Sequence, residues 1–95
     1  MGKPKVIRMF DRDEIDTWFD DETLHNRMLW WLRSNGITPT EASSAYPLII
    51  EEVRGVAQIR YMRFVRSERG HIQIRTDADL PLVEEVVVPM VVPLP

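Results

Sequence analysis

Residues 21–37, with the sequence DETLHNRMLWWLRSNGI, decide the fold because they contain a complete amphipathic helix with a start and a stop. At about 100° per residue, one face of that helix is an apolar stripe made of Leu24, Met28, Trp31 and Leu32. Asp20 or Asp21 can cap its first turn. Gly36 followed by Ile37 predicts a left-handed stop. We therefore expect a main helix over about residues 21–35, packed by one face.

Trp30 does not belong to this stripe. It lies about 200° around the helix from Met28, on the opposite face. Either another part of the chain covers it, or it anchors a partner, because tryptophan is common among the residues that dominate protein interfaces. A chain of 95 residues has little material to cover both faces of a helix, but both interpretations stay open, and the second makes Trp30 a candidate interface residue.

The remaining segments predict an antiparallel sheet. A strand at residues 6–10 precedes a short helix at 12–19, which starts at a capping box from Asp11 to Glu14 and breaks near residue 20. A helical turn at Pro39 is followed by strands at 48–50, 56–66, 71–76 and 83–88. The strand at 56–66 is expected to have either a bulge or a change of buried face near residues 62–64, and to pair with 71–76 through a turn at 67–70. Ile72 and Ile74 are expected to point inward, and residues 77–79 to form a turn.

These elements predict an α+β domain. The main helix packs on one face of a sheet of three to four strands, and residues 1–95 form a single domain with a flexible segment at 1–5. Residues 89–95 form an extended apolar tail, because their prolines cannot donate ladder hydrogen bonds. This tail can lie over its own core or embrace a neighbouring subunit. The predicted interface residues in it are Met90, Val91, Val92 and Leu94.

Composition argues against most kinds of catalytic site. The absence of cysteine excludes disulfides, thiolate catalysis and zinc–thiolate centres. His25 and His71 are single histidines on different elements. Asp11, Asp13 and Glu22 have the spacing of calcium-loop ligands, but Asp16 stands where that loop needs glycine. The sequence has neither a phosphate loop nor a nucleophile elbow. We expect no catalytic residues, no cofactor, no metal, no membrane segment and a soluble intracellular protein.

Charge is unevenly distributed, although the net charge is only −3. Acidic residues dominate positions 11–22, whereas a basic hairpin carries Arg60, Arg63, Arg66, Arg69 and Arg75. These arginines could contact nucleic-acid phosphates. Alternatively, they line the solvent side of the sheet and pair with the acidic N-terminal segment.

Three stretches together resemble small uncharacterised proteins of actinobacterial bacteriophages and prophages. They are WLRSNGITP at 31–39, IRYMRFVR at 59–66 and VPMVVP at 88–93. The resemblance implies a phage-encoded protein in the cytoplasm of a bacterial host and carries no catalytic motif. The leading hypothesis is a non-enzymatic interaction protein that binds a host or phage protein and forms homo-oligomers. The alternatives are a nucleic-acid-binding protein using the basic hairpin, and a minor structural or assembly component of the virion.

Overall fold

The computed structural model describes residues 3–75 and 80–95, and shows a mixed α+β fold. Within these two ranges, two helices and a short 3₁₀ turn accompany six strands. In chain order the elements are β1 (Lys5–Phe10), α1 (Arg12–Trp18), α2 (Glu22–Ser34), the 3₁₀ turn (Pro39–Glu41), β2 (Leu48–Val53), β3 (Val56–Phe64), β4 (Ile74–Arg75), β5 (Leu80–Pro81) and β6 (Val83–Pro89).

The main sheet has four antiparallel strands in the order β1-β2-β3-β6. A bulge between Val6 and Arg8 shifts the register of β1 on β2. The two-residue strands β4 and β5 pair separately. The predicted antiparallel sheet with one main helix is confirmed, and β1 begins at Lys5, within the segment expected to be flexible.

The helix boundaries follow the predicted caps. Asp11 accepts a hydrogen bond from the backbone N–H of Glu14 at 2.9 Å, and Asp21 accepts one from that of Leu24 at 3.1 Å. The chain therefore breaks between α1 and α2 at the cap formed by Asp21, as expected. At the other end Gly36 has φ +80°, and the N–H of Ile37 donates to the carbonyl of Leu32 at 2.9 Å. This is the Schellman stop that the sequence predicts.

The hydrophobic core lies between the helices and one face of the sheet. Alternate residues of β2 and β3 supply the sheet side, and Met28, Trp31 and Leu32 of the predicted stripe supply the other. Leu24, the first residue of that stripe, is 37% exposed and lies outside the core. Phe19 is the C-cap of α1 and is 62% exposed, outside the core. The buried core residues are Phe10, Ile15, Trp18, Met28, Trp31, Leu32, Ile37, Leu48, Ile50, Ile59 and Tyr61.

The predicted pairing of residues 71–76 with β3 is wrong. The turn at 67–70 forms, since the N–H of Gly70 donates to the carbonyl of Ser67 at 2.9 Å. Its arms meet only in an isolated bridge between Arg66 and Ile72, however, and β4 pairs instead with β5, further along the chain. Ile72 and Ile74 are 37% and 51% exposed, and do not point into the core. The turn predicted at 77–79 lies outside the described residues.

The actual neighbours of β3 are β2 and β6. A two-residue loop joins β2 to β3, with φ +52° at Arg54 and +79° at Gly55, as a type I′ hairpin requires. On the other side the register runs without interruption from Gln58 opposite Pro89 to Phe64 opposite Val83. The bulge that was one of the two alternatives near residues 62–64 is therefore absent from this ladder. The other alternative, a change of buried face, agrees with the structure, because Tyr61 is buried whereas Arg63, two residues further on, is exposed.

Candidate interaction surface

Two adjacent tryptophans of α2 point in opposite directions. Trp31 is fully buried in the core, with 0% of its surface exposed. Trp30 is 58% exposed on the other face of the helix. The outward position that helical spacing predicts for Trp30 is thus confirmed, and the described chain does not cover it. Because α2 is capped at both ends, Trp30 sits on a well-defined helical support.

The C-terminal tail crosses the end of α2 and is tied to it by hydrogen bonds. The indole Nε1–H of Trp31 donates to the carbonyl of Val92 at 2.8 Å. The backbone N–H groups of Val91 and Val92 donate to Oδ1 of Asn35 at 2.7 and 2.9 Å. Nδ2 of Asn35 donates to the carbonyls of Trp31 and Val92 at 2.9 and 3.1 Å. We call this arrangement of Trp31 and Asn35 the tail clasp.

Asn35 is the residue of this site that sequence reasoning missed. It is 5% exposed, and its amide makes all four hydrogen bonds that an asparagine side chain can make. In the sequence, the position of Asn35 next to Gly36 predicts only that a helix ends there. The partners that explain its burial lie 56 and 57 residues further along the chain. A local pattern cannot contain that information.

The predicted interface residues of the tail fall into two groups. Met90, Val92 and Leu94 are half-buried and pack against the core of their own chain. Val91 lies on the other side of the tail and is 69% exposed. In this arrangement Val91 and Trp30 are accessible to a partner, whereas Met90, Val92 and Leu94 are partly covered by their own chain.

A half-open apolar cavity of about 140 Å³ lies between the two helices and the segment that follows the 3₁₀ turn. Its wall includes the aromatic residues Trp18, Phe19, Tyr46 and Tyr61. The rings of Phe19 and His25 meet there, with centroids 4.8 Å apart. Cavities of about 150 Å³ hold a benzene-sized molecule. This cavity can therefore accept one small apolar group. No local sequence motif predicts it, because its wall comes from segments that are distant in the sequence.

The predicted basic hairpin does not form a single cationic surface. Arg60 donates from Nε to Glu51 at 2.9 Å and also pairs with Glu85. Arg63 pairs with Glu84, which lies directly opposite on β6. These carboxylates belong to the sheet and not to the acidic N-terminal segment, so that part of the prediction is wrong.

The other three arginines of the predicted hairpin differ in position. Arg66 pairs with Glu41 of the 3₁₀ turn at 2.8 Å. Arg69 is exposed in the turn before Gly70, and the side chain of Arg75 lies outside the described residues. Three of the five guanidinium groups are thus engaged with carboxylates of the same chain, which offsets their attraction for phosphates.

Glu51 is the most buried carboxylate of this network, with 4% of its surface exposed. It accepts hydrogen bonds from Arg60 and, at 2.7 Å, from Gln58. The hydrogen bond with Arg60, followed by that with Gln58, holds the pKa of Glu51 below its ordinary value. Glu51 is therefore satisfied within the fold, and its environment is that of a structural ion pair.

Asp11, whose spacing with Asp13 and Glu22 fails as a calcium loop, is the N-cap of α1. Within residues 3–75 and 80–95, no three His, Asp or Glu side chains come close enough to hold a metal ion. None of the helices in these two ranges is both long and apolar enough to cross a membrane. Comparisons with protein-family models, curated proteins and solved structures found no significant match.

Proposed function

We propose that this chain is a non-enzymatic interaction protein that binds another protein through Trp30 and self-associates. The exposure of Trp30 carries the proposal: a large aromatic side chain is 58% exposed on a helix whose opposite face is anchored in the core. An exposed tryptophan can bury a large apolar area when a partner covers it. Phe19 and Val91 are also accessible apolar residues, at 62% and 69% exposed.

The partner is a protein of a phage or of its bacterial host, and the site of action is the host cytoplasm. This part of the proposal comes from the resemblance of residues 31–39, 59–66 and 88–93 to small actinobacterial phage proteins. A role as a minor virion or assembly component uses the same surface with a different partner. Nucleic-acid binding has less support, because Arg60, Arg63 and Arg66 are already paired with carboxylates.

The test is affinity capture from a lysate of an actinobacterial host, with and without nuclease. The bait is the full chain, compared with Trp30→Ala and with Val56→Thr. Val56 is a matched control because it is also 58% exposed but lies on the sheet at the β2–β3 hairpin. Its replacement by threonine keeps the β-branched shape.

A specific protein retained after nuclease, captured by the Val56→Thr bait and lost with Trp30→Ala, is the expected result. Equal capture by all three baits would contradict the role of Trp30. Capture of nucleic acid alone, indifferent to Trp30→Ala, would favour the basic residues of β3 instead.

A further inference from the structure

The tail clasp recognises the backbone of an extended peptide. Oδ1 of Asn35 accepts two consecutive tail N–H groups, and the carbonyl of Val92 accepts from both Asn35 and Trp31. All four bonds go to backbone atoms of the tail. Main-chain hydrogen bonds of this kind provide affinity for any segment that presents the same extended backbone.

Side chains of the tail add a pattern to this recognition. Met90, Val92 and Leu94 face the core, whereas Val91 faces outward. The prolines at 89, 93 and 95 restrict the backbone before it docks, so that less conformational entropy is lost on binding. The tail therefore has the properties of a preorganised peptide ligand whose binding site is on α2.

The connection between the sheet and the docked tail is short. The N–H of Met90 donates to the carbonyl of Ala57 at 3.0 Å and is the last tail bond to β3. The next residue, Val91, is already bound to Asn35. A change of direction between Met90 and Val91 would release residues 91–95 and leave the β3–β6 ladder intact.

We propose that residues 91–95 exchange between two copies of this chain, so that the clasp of each copy binds the tail of the other. A second copy is the occupant because it offers the same residues in the same order and can remake every contact of the closed form. The closed monomer and the exchanged dimer differ only in the connection at Met90–Val91 and in the entropy of association. The exchanged form therefore increases with protein concentration. This inference rests on the self-association in the proposed function, but it uses a surface other than Trp30.

Complementation between two full-length variants tests the exchange. Asn35→Ala damages the clasp but keeps a normal tail, and Val92→Asp damages the tail but keeps a normal clasp. Neither variant alone contains an intact pair. A mixture contains one, formed by the clasp of the Val92→Asp chain and the tail of the Asn35→Ala chain. Native mass spectrometry distinguishes the two chains and counts the species.

We expect the mixture to form more heterodimer than random pairing of the two chains produces, and the same excess when both chains also carry Trp30→Ala. Monomers only, or random pairing, would overturn the exchange. Random pairing that disappears with Trp30→Ala would show self-association through Trp30 without exchange, so the two proposals fail in different ways.

A measurement on the unaltered chain covers the case in which the variants do not fold. In a mixture of nitrogen-15-labelled and carbon-13-labelled protein, filtered nuclear Overhauser spectra detect contacts between copies. A contact between the indole N–H of Trp31 and the methyl groups of Val92, growing with concentration, is the expected result. Contacts confined to single chains at every concentration would overturn the proposal.

Discussion

The indole Nε1 of Trp31 lies 2.8 Å from the carbonyl oxygen of Val92, although the two residues are 61 positions apart. This bond joins the helical layer to the end of the chain, beyond the last strand of the sheet. It also assigns the two adjacent tryptophans of α2 to different roles. Trp31 stabilises the fold, and Trp30 is accessible to a partner.

The two tryptophans should respond differently to the same substitution. Trp31→Phe removes the indole hydrogen bond and part of a fully buried ring, so we expect it to lower the free energy of unfolding by about 2–3 kcal/mol. In this variant the carbonyl of Val92 still accepts a hydrogen bond, because Nδ2 of Asn35 also donates to it. Trp30→Phe should change stability by less than about 0.5 kcal/mol, as is usual for exposed sites. Urea unfolding measures both, and equal costs would contradict the assignment.

Asn35 should control the order of the tail. In Asn35→Ala the N–H groups of Val91 and Val92 lose their acceptor, and we expect a loss of about 2–4 kcal/mol from several broken bonds in a buried site. The backbone amide hydrogens of Val91 and Val92 should exchange with solvent much faster than in the unaltered protein, as measured by NMR. Ser34→Ala is the control, because Ser34 bonds only the carbonyl of Trp30 within its own helix. Unchanged protection of both amides in Asn35→Ala would mean that the clasp does not order the tail.

Local signals in the sequence account for the helices. The caps at Asp11 and Asp21 and the stop at Gly36 each depend on residues at most five positions apart, so spacing alone predicts them. The outward position of Trp30 follows from the same periodicity. Its role in binding a partner stays a prediction, as do the oligomeric state and the phage context.

Strand pairing was only partly predictable, because alternation does not identify a partner. Residues 71–76 and 83–89 both have the composition of strands, but only the second segment pairs with β3. There Val86 and Val88 lie opposite Tyr61 and Ile59 on the buried face. The β2–β3 turn was also missed, because arginine is an unusual residue at a position with positive φ.

That turn leads to a stabilising substitution. Arg54 is exposed and has φ +52°, a conformation that costs most residues about 1 kcal/mol and that asparagine tolerates. Asparagine followed by glycine is also a preferred pair for a type I′ hairpin. Arg54→Asn should therefore raise the free energy of unfolding by about 0.5–1 kcal/mol in a urea or thermal denaturation. Gly55→Ala is the opposite control and should destabilise, since φ is +79° there. A destabilising Arg54→Asn would show that the arginine side chain makes a favourable contact.

The ion pair of Glu51 with Arg60 should make stability depend on pH. Because folding lowers the pKa of Glu51, its contribution is present above the ordinary glutamate pKa of about 4.3 and is lost as the pH falls through the folded value. We expect Glu51→Gln to cost about 1–2 kcal/mol near pH 7, since a charge-assisted bond from a partly exposed arginine is weakened. This difference from the unaltered protein should shrink steadily below about pH 4. Glu52→Gln, at the next position of β2 but with no hydrogen bond to Arg60, is the matched control for the removal of one carboxylate. Urea unfolding from about pH 3 to about pH 7, a range that spans the ordinary glutamate pKa, measures the unaltered protein and both variants. A pH-independent cost of Glu51→Gln would mean that the carboxylate acts through packing and not through its charge.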